Sequence, residues 1–316
     1  MKNKLRLIDV SMLSTYMGRA LTGFVTLFVI AVAVGAWLSG GGRGFDRGVI
    51  TVCVHALPEE WDARRIFEPF RSLLSAETRR PVVVTECGEE RPAGFELYVL
   101  PVDEYFRYER PLGIRALFEI QSSARRIDKA VVVSREPIET GVPKTATVNE
   151  FVFTRPMSVN GFWVQADALE RTGLGMPTDL RDLEFTGSAA GGSRAVFDVL
   201  CGAYRFGACK LSEITDLLRD GSMQAGELHV WDAGDALPEV VIAARGSLEY
   251  YERKLGSVAG MLDEVTSPPR ENETVALLKS RGVRRLVPLG PERISETRRL
   301  FERYGVVFDS TRVVSP

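Results

Sequence analysis

Two short polar turns are the segments of this sequence best suited to bind an anion. Ser158 and Asn160 come just before a helix predicted from Gly161, and the turn Thr186-Gly187-Ser188 also precedes a helix. The first N–H groups of a helix have no partner within it, and the helix dipole favours negative charge there. Two such termini lining one cleft would suit a tetrahedral oxyanion. The competing interpretation is ordinary N-capping, for which Ser and Asn are common residues.

His55 is a further candidate ligand contact, because it ends the first predicted strand. Ligand sites of open α/β sheets lie at the carboxyl ends of strands, although a single His there is often a surface residue. Neither His55 nor His229 has a Ser or Cys companion by motif, and no GxSxG, HExxH or CxxC pattern occurs. We therefore expect no enzyme activity, no metal site and no cofactor.

Length and composition indicate a globular protein with one or two sizeable cores. A chain of 316 residues suggests two domains or one bilobed unit. The hydrophobic fraction of 45% and the charged fraction of 26% are ordinary for a globular protein. The formal net charge of −2 gives no general attraction to nucleic acid, so we exclude a nucleic-acid partner.

The four cysteines, Cys53, Cys87, Cys201 and Cys209, are too few to hold a chain of this length together. The simplest interpretation is that all four are reduced or structurally incidental, since free Cys is often buried like a small apolar residue. An oxidising compartment would allow disulfides instead. Cys201 with Cys209 is then the better-placed pair, because a helix end and the next strand often meet.

An apolar segment near the N-terminus predicts a single-pass anchor in the inner, cytoplasmic membrane. Residues 20–38 carry no charge and are long enough to cross a bilayer as a helix. Residues 1–19 contain four basic residues and one acidic residue, so the positive-inside rule places this end in the cytoplasm. Residues 39–48 form a Gly-rich tether to a periplasmic or extracytoplasmic part. A cleaved signal peptide is the alternative, but its charged and apolar regions are usually shorter.

The exported part alternates predicted strands and helices. Residues 49–54 are a β-branched run typical of a buried strand, and residues 58–76 show the apolar spacing of a helix. Strands separated by helices indicate a mostly parallel sheet in an α/β fold. The last predicted helix, at residues 292–304, is rich in Arg and Glu, which we interpret as a solvated, salt-bridged face.

Four segments, taken in order, carry a resemblance to a known family. They are residues 97–105 (LYVLPVDEY), 153–162 (FTRPMSVNGF), 185–188 (FTGS) and 238–245 (PEVVIAAR). With them, residues 49–305 resemble the type II periplasmic substrate-binding proteins, in particular the phosphonate/phosphite-binding receptors of ABC transporters.

The resemblance implies a two-lobed α/β fold that follows the N-terminal transmembrane helix. Lobe 1 would contain residues 49–132 and 243–316, and lobe 2 would contain residues 133–242. Two crossing segments, near residues 126–133 and 240–245, would join the lobes.

The resemblance also implies further site residues. Tyr105 ends a segment whose aromatic residue faces the cleft in that family, so it either stacks on a ligand or packs in the core. The two polar turns match the family's ligand loops. The family commonly has His where this chain has Ala189, and an acidic residue where it has Arg205. Arg205 would either grip an anion as a bidentate donor or fill the cleft against a carboxylate.

Two functions fit these features, because a fold does not fix a function. The departures from the family and the anchor favour a degenerate, non-catalytic binding protein, retained as an interaction or accessory subunit of a membrane complex. Its partners would be membrane protein subunits and, through residues 20–38, the lipid bilayer. The alternative is a tethered receptor for a small oxyanion or organic acid, serving an ABC transporter or a membrane sensor. An open polar cleft would favour the receptor, and a plugged cleft would favour the subunit.

Overall fold

The computed structural model describes residues 48–55, 63–87, 94–121, 128–138, 141–177, 182–186, 191–263, 273–280 and 283–305. The predicted anchor at residues 20–38 and the predicted ligand contact Ser188 lie outside these residues. Within the described part of the chain, no helix is both long enough and apolar enough to cross a membrane.

The first sheet is mixed and has six strands. They are β1 (Ile50–His55), β2 (Val82–Cys87), β3 (Leu97–Pro101), β4 (Ile114–Gln121), β10 (Val240–Arg245) and β11 (Arg285–Pro288), in the spatial order β11-β4-β10-β3-β1-β2. β1 is parallel to β2 and β3, whereas β10 is antiparallel to β3 and β4, and β11 is antiparallel to β4. The prediction of a mostly parallel sheet is therefore wrong, because β10 re-enters this sheet from the opposite direction.

The second sheet has five strands. They are β5 (Lys129–Ser134), β6 (Phe151–Phe153), β7 (Glu184–Phe185), β8 (Phe206–Lys210) and β9 (His229–Asp235), in the order β7-β6-β8-β5-β9. β6 is parallel to β7 and β8, whereas β5 is antiparallel to β8 and β9. The carboxyl ends of β6 and β8 therefore lie at the same edge of the sheet as the amino end of β5.

Helices cover both sheets. They are α1 (Ala63–Thr78), α2 (Val102–Leu112), α3 (Val164–Arg171), α4 (Gly191–Leu200), α5 (Leu211–Asp220), α6 (Leu248–Asp263), α7 (Glu273–Ser280) and α8 (Pro291–Leu300). Two π-helical turns, Val159–Trp163 and Phe301–Gly305, precede α3 and follow α8. We call the first sheet with α1, α2, α6 and α7 the first region, and the second sheet with α3, α4 and α5 the second region.

Burial on both faces explains the apolar runs of the first sheet. In β3, Leu97 and Val99 face the core beneath α1 and α6, whereas Tyr98 and Leu100 face a second core that continues into the second region. Alternate residues of one strand thus serve two cores, and strands buried on both faces have nearly continuous apolar sequence. Core packing therefore joins the two regions.

Among the described strands, the chain changes sheets between β4 and β5 and again between β9 and β10, where residues 236–239 lie. β5 begins at Lys129 and β10 at Val240, each a few residues before the lobe boundaries drawn from the sequence. The division into lobes 49–132 with 243–316 and 133–242 stays a prediction. We call residues 236–239 the connecting segment.

A disulfide joins Cys53 of β1 to Cys87 of β2, with their Cα atoms 5.7 Å apart. The register pairs Cys53 with Thr85 and His55 with Cys87, so the two cysteines lie two residues apart on adjacent parallel strands. The prediction that all cysteines are reduced is wrong for this pair.

The alternative pair predicted from the sequence does not form either. Cys201 is exposed just after the end of α4, whereas Cys209 is buried in β8 beneath α4 and α5, and both are free thiols. Nearness in sequence therefore did not bring them together.

Candidate functional site

A small polar pocket lies at the edge of the second sheet where β6 and β8 end. Side chains and backbone from six places line it: Thr154, Arg155, Ser158, Asn160, Gly161, Gly191, Gly192, Lys210, Glu213 and Glu239. The polar turn with Ser158 and Asn160 lies at this edge, because ligand sites of such sheets form where parallel strands end. Gly187 and Ser188 of the second predicted turn lie outside the described residues. The space that a water centre can occupy is only about 10 Å³, which is about what one water molecule needs.

The first helix terminus in the pocket is the π-helical turn that begins at Val159. The Ser158 hydroxyl accepts a hydrogen bond from the Gly161 N–H at 3.0 Å and so caps this turn. Gly161 has no room for a side chain, since a Cβ would overlap the Thr154 hydroxyl. That hydroxyl is buried and has no hydrogen-bond partner among the described residues. The Thr154 hydroxyl, just after β6, is therefore a buried polar group beside this turn.

Glu239 of the connecting segment places its carboxylate at this first terminus. Its Oε2 accepts a hydrogen bond from Lys210 Nζ at 3.0 Å, and the backbone N–H of Asn160 also stabilises its charged form. Burial alone would raise the pKa of the Glu239 carboxyl. The Lys210 charge, the Lys210 hydrogen bond, the nearby Arg155 charge and the Asn160 N–H outweigh burial and lower that pKa below its ordinary value. The terminus thus holds an ionised carboxylate supplied by the chain itself.

Glu213 of α5 fills the second terminus in the same manner. Its carboxylate accepts hydrogen bonds from the N–H of Gly192, in the first turn of α4, at 3.0 Å and from the N–H of Lys210 at 2.7 Å. A Cβ at Gly192 would overlap this carboxylate. Burial raises the pKa of the Glu213 carboxyl, although the Lys210 charge and the two N–H groups oppose the rise. Each helix terminus in the pocket is therefore occupied by an internal carboxylate.

Of the six residues predicted to contact a ligand, the structure brings Ser158 and Asn160 into the pocket. The Asn160 side chain is turned to the connecting segment, where its Nδ2 donates to the Leu237 carbonyl and its Oδ1 accepts from the Leu237 N–H, both at 2.7 Å. The Asn160 side chain is therefore fully used by the Leu237 backbone. Only the backbone N–H of Asn160 is directed to an anion.

His55 and Tyr105 lie outside the residues that line the pocket. His55 is buried at the end of β1 and packs against Tyr108, with ring centroids 5.9 Å apart. Tyr105 is buried in the core, where its hydroxyl donates to Glu109 Oε1 at 2.6 Å and accepts from the Ala116 N–H. Burial and the Glu109 carboxylate raise the pKa of Tyr105. Of the two uses that the sequence allowed for Tyr105, the structure shows packing.

Arg205 lies at the opposite edge of the second sheet, just before β8 begins. Its guanidinium donates to Glu136 Oε2 at 2.7 and 2.9 Å and to Glu150 Oε1 at 2.9 Å. It also lies over the Phe206 ring, 5.1 Å from the centroid. Arg205 therefore pairs with two carboxylates far from the pocket and neither plugs it nor contacts it.

Several residues that fill the pocket were missed from the sequence. Thr154 follows β6 and Lys210 ends β8, so the rule that cleft residues follow strand ends would have pointed to both. Glu213 and Glu239 carried no comparable signal, because they reach the pocket from α5 and from the connecting segment. Only the tertiary arrangement brings them to the helix termini.

No protein-family model matches the sequence, and no curated protein matches it significantly. Solved structures do resemble the fold. PhnD1 from Prochlorococcus marinus, in complex with methylphosphonate, has 14% sequence identity and a TM-score of 0.55, and the match covers 82% of this chain and 98% of PhnD1. XAC2383 from Xanthomonas citri, bound to ATP, has 13% identity and a TM-score of 0.56, with 83% and 98% covered. At such identities the likeness establishes the fold alone. The chain has the two-sheet fold of the type II periplasmic substrate-binding proteins, resembling their phosphonate-binding members.

Proposed function

We propose that this chain is a non-catalytic, substrate-binding-protein-like subunit of a membrane complex. Residues 20–38 would anchor it in the inner membrane, with the two regions in the periplasm. Its role would be to contact membrane protein partners and not to capture a solute.

The observation that carries this proposal is the occupation of both helix termini by Glu239 and Glu213. An incoming oxyanion would have to displace Glu239 from Lys210. The two side chains of that pair are 24% and 14% exposed, so breaking it costs about 2–3 kcal/mol, between the values for exposed and buried pairs. That cost lowers the affinity for an anion roughly 30- to 150-fold relative to an empty site. A solute receptor would not be expected to carry such an internal competitor.

The Cys53–Cys87 disulfide supports the proposed compartment. Disulfides persist in oxidising compartments such as the bacterial periplasm and are rare in the cytosol. The bond therefore agrees with the topology that the basic residues before the apolar segment predict. Protease treatment of intact spheroplasts tests this topology, since protection of the two regions would contradict it.

A tethered receptor for a small oxyanion or organic acid, serving an ABC transporter or a membrane sensor, is the second candidate. The buried Thr154 hydroxyl favours it, because it has no partner among the described residues and faces the pocket. The ligands named for PhnD1 and XAC2383, methylphosphonate and ATP, also carry phosphorus oxyanions. Under this hypothesis a ligand would replace the Glu239 carboxylate at the first terminus.

Purification of the full-length chain in mild detergent separates the two functions. If the chain is an interaction subunit, a membrane protein should co-purify with it in fixed stoichiometry. This function also predicts no heat on titration of the purified chain with phosphate, phosphite, sulfate or methylphosphonate. A chain that binds one of these anions at micromolar Kd and has no stable partner would contradict the proposal and support the receptor.

A further inference from the structure

The C-terminal helix, by which we mean α8 together with the π-helical turn up to Gly305, carries four arginines. The sequence predicted a solvated, salt-bridged face for this helix. In the structure, each of Arg293, Arg298, Arg299 and Arg303 instead reaches an acidic residue on another element. These acidic residues belong to both regions of the molecule.

In the first region, Arg298 is the main contact. Its Nη2 donates to Glu109 Oε2 of α2 at 2.6 Å, and its guanidinium lies 4.6 Å from the centroid of the Phe106 ring. Phe301 packs on the same ring at 5.3 Å. Glu109 also accepts from the buried Tyr105 hydroxyl, so this contact is tied to the core of the first region.

In the second region, Asp167 of α3 is the main contact. Arg299 binds it with two hydrogen bonds of 2.9 and 3.1 Å, and Arg303 lies 3.6 Å away. The Asp167 side chain is only 6% exposed, so these cations compensate a largely buried charge. One helical turn on, the Tyr304 hydroxyl donates to Glu170 at 2.8 Å. The C-terminal helix therefore forms ion pairs with both regions.

The connecting segment is held as well. Arg293 Nη2 donates to the Ala236 carbonyl and to Glu119 Oε2 of β4, both at 2.9 Å. The Ala236 N–H donates to the Asp128 carbonyl, and the Asn160 side chain takes both polar groups of the Leu237 peptide. Hinge motion needs φ and ψ changes in a few such residues. Here their backbone groups are bonded, and the next residue, Pro238, has a fixed φ.

We propose that the C-terminal helix is a clasp that fixes the two regions and the connecting segment in one arrangement. The protein then moves as one body and does not open and close around a solute. This inference goes beyond the proposed function. It concerns the motion of the regions, whereas the proposed function concerns the occupation of the pocket.

Spin-label distance measurements on the full-length chain in mild detergent test the clasp. One label uses the native Cys201, which is exposed in the second region, and the other uses Glu252→Cys on an exposed position of α6. Cys209 is buried and Cys53 is bonded to Cys87, so neither competes for label. We expect one narrow distance distribution that phosphate does not change. In the double variant Arg298→Gln with Arg299→Gln, the distribution should broaden or gain a longer distance.

Two variants control for the loss of charge. Arg285→Gln removes an equally well-formed bidentate pair, with Asp263, that lies inside the first region, and its distribution should stay narrow. Arg298→Lys with Arg299→Lys keeps the charges and should stay close to the parent. A broad or double distribution in the parent chain would overturn the proposal. So would a double Gln variant that folds and keeps the narrow parental distance. If that variant fails to fold, Glu109→Gln alone replaces it, with the same two readings.

Discussion

Lys210 and Arg205 mark the two ends of β8, about 16 Å apart at the usual rise of a strand, and their surroundings differ. In a narrow pocket, the Lys210 ammonium pairs with Glu239, and the Lys210 backbone N–H donates to Glu213. Arg205 meets Glu136 and Glu150 at the open edge, where the side chains of Arg205 and Glu136 are 35% and 58% exposed. Both ends of the strand therefore have a basic residue beside two carboxylates. The side chains at the Lys210 end are more buried than those at the Arg205 end.

The position of a cation along this strand therefore decides whether it can help to bind an anion. At the carboxyl end of β8, the Lys210 ammonium and the Asn160 N–H keep Glu239 ionised, and two backbone N–H groups bond Glu213. At the amino end, water competes for the Arg205 guanidinium. Its ion pairs with Glu136 and Glu150 therefore contribute as little as other exposed ion pairs. An anion site is therefore expected only at the Lys210 end, although family resemblance pointed to Arg205.

Loss of Lys210 should have the largest effect on stability. Lys210→Ala leaves the partly buried Glu239 carboxylate without its closest cation. We expect a loss of about 2–3 kcal/mol in the free energy of unfolding, between the values for exposed and buried pairs. Urea unfolding followed by tryptophan fluorescence measures it. A loss no larger than that of Arg205→Gln would contradict the conclusion that the Lys210 pair is the more buried and the stronger of the two.

Gly161→Ala tests how tightly the Lys210 end is packed. The new Cβ would overlap the Thr154 hydroxyl, so we expect a loss of about 2 kcal/mol, as for overpacked cores. Gly256→Ala is the matched control, because nothing lies within 4 Å of its Cβ in α6. That control should gain about 0.5–1 kcal/mol from helix propensity. Equal results for the two variants would show that the pocket has room.

The pH dependence of the unfolding free energy reports the charge of Glu239. The folded pKa of Glu239 lies below its ordinary 4.5, so the unfolded chain takes up this proton at a higher pH. The stabilisation is complete above the ordinary value and is lost as the pH falls through the folded pKa. Glu239→Gln should flatten this acid limb of the unfolding free energy by at most about 1.4 kcal/mol per pH unit, the slope for one proton. Glu136→Gln, at the Arg205 end, serves as the control, and an unchanged acid limb in Glu239→Gln would contradict the pairing.

Arg205→Gln should have the smallest effect. Pairs this exposed contribute about 0.2–1 kcal/mol each, so the free energy of unfolding should fall by about 1 kcal/mol or less. The loss should shrink in 1 M salt because screening weakens exposed pairs. A loss above that of Lys210→Ala, or one insensitive to salt, would place Arg205 in the core of the fold.

Much of the fold was accessible from the sequence, because apolar β-branched runs such as those of β1 and β3 follow from burial on both faces. The Ser158 turn was also accessible, since its residues cap a helix. The direction of β10 was not, because direction depends on the route of the chain between the sheets. Glu239 was not accessible either, because no local pattern marks a carboxylate that meets a distant helix terminus.

If the Glu239 carboxylate occupies an anion site, an added oxyanion should replace it once the carboxylate is removed. Glu239→Ala should leave Lys210 and the Asn160 N–H available to an added oxyanion. We compare the Tm of the full-length variant in phosphate and in chloride at equal ionic strength. At a phosphate concentration about 100 times Kd, linkage adds about 2.7 kcal/mol, or roughly 5–10 °C in Tm. The parent chain and Glu136→Ala should show little of this gain. An equal phosphate effect on all three proteins would contradict the claim.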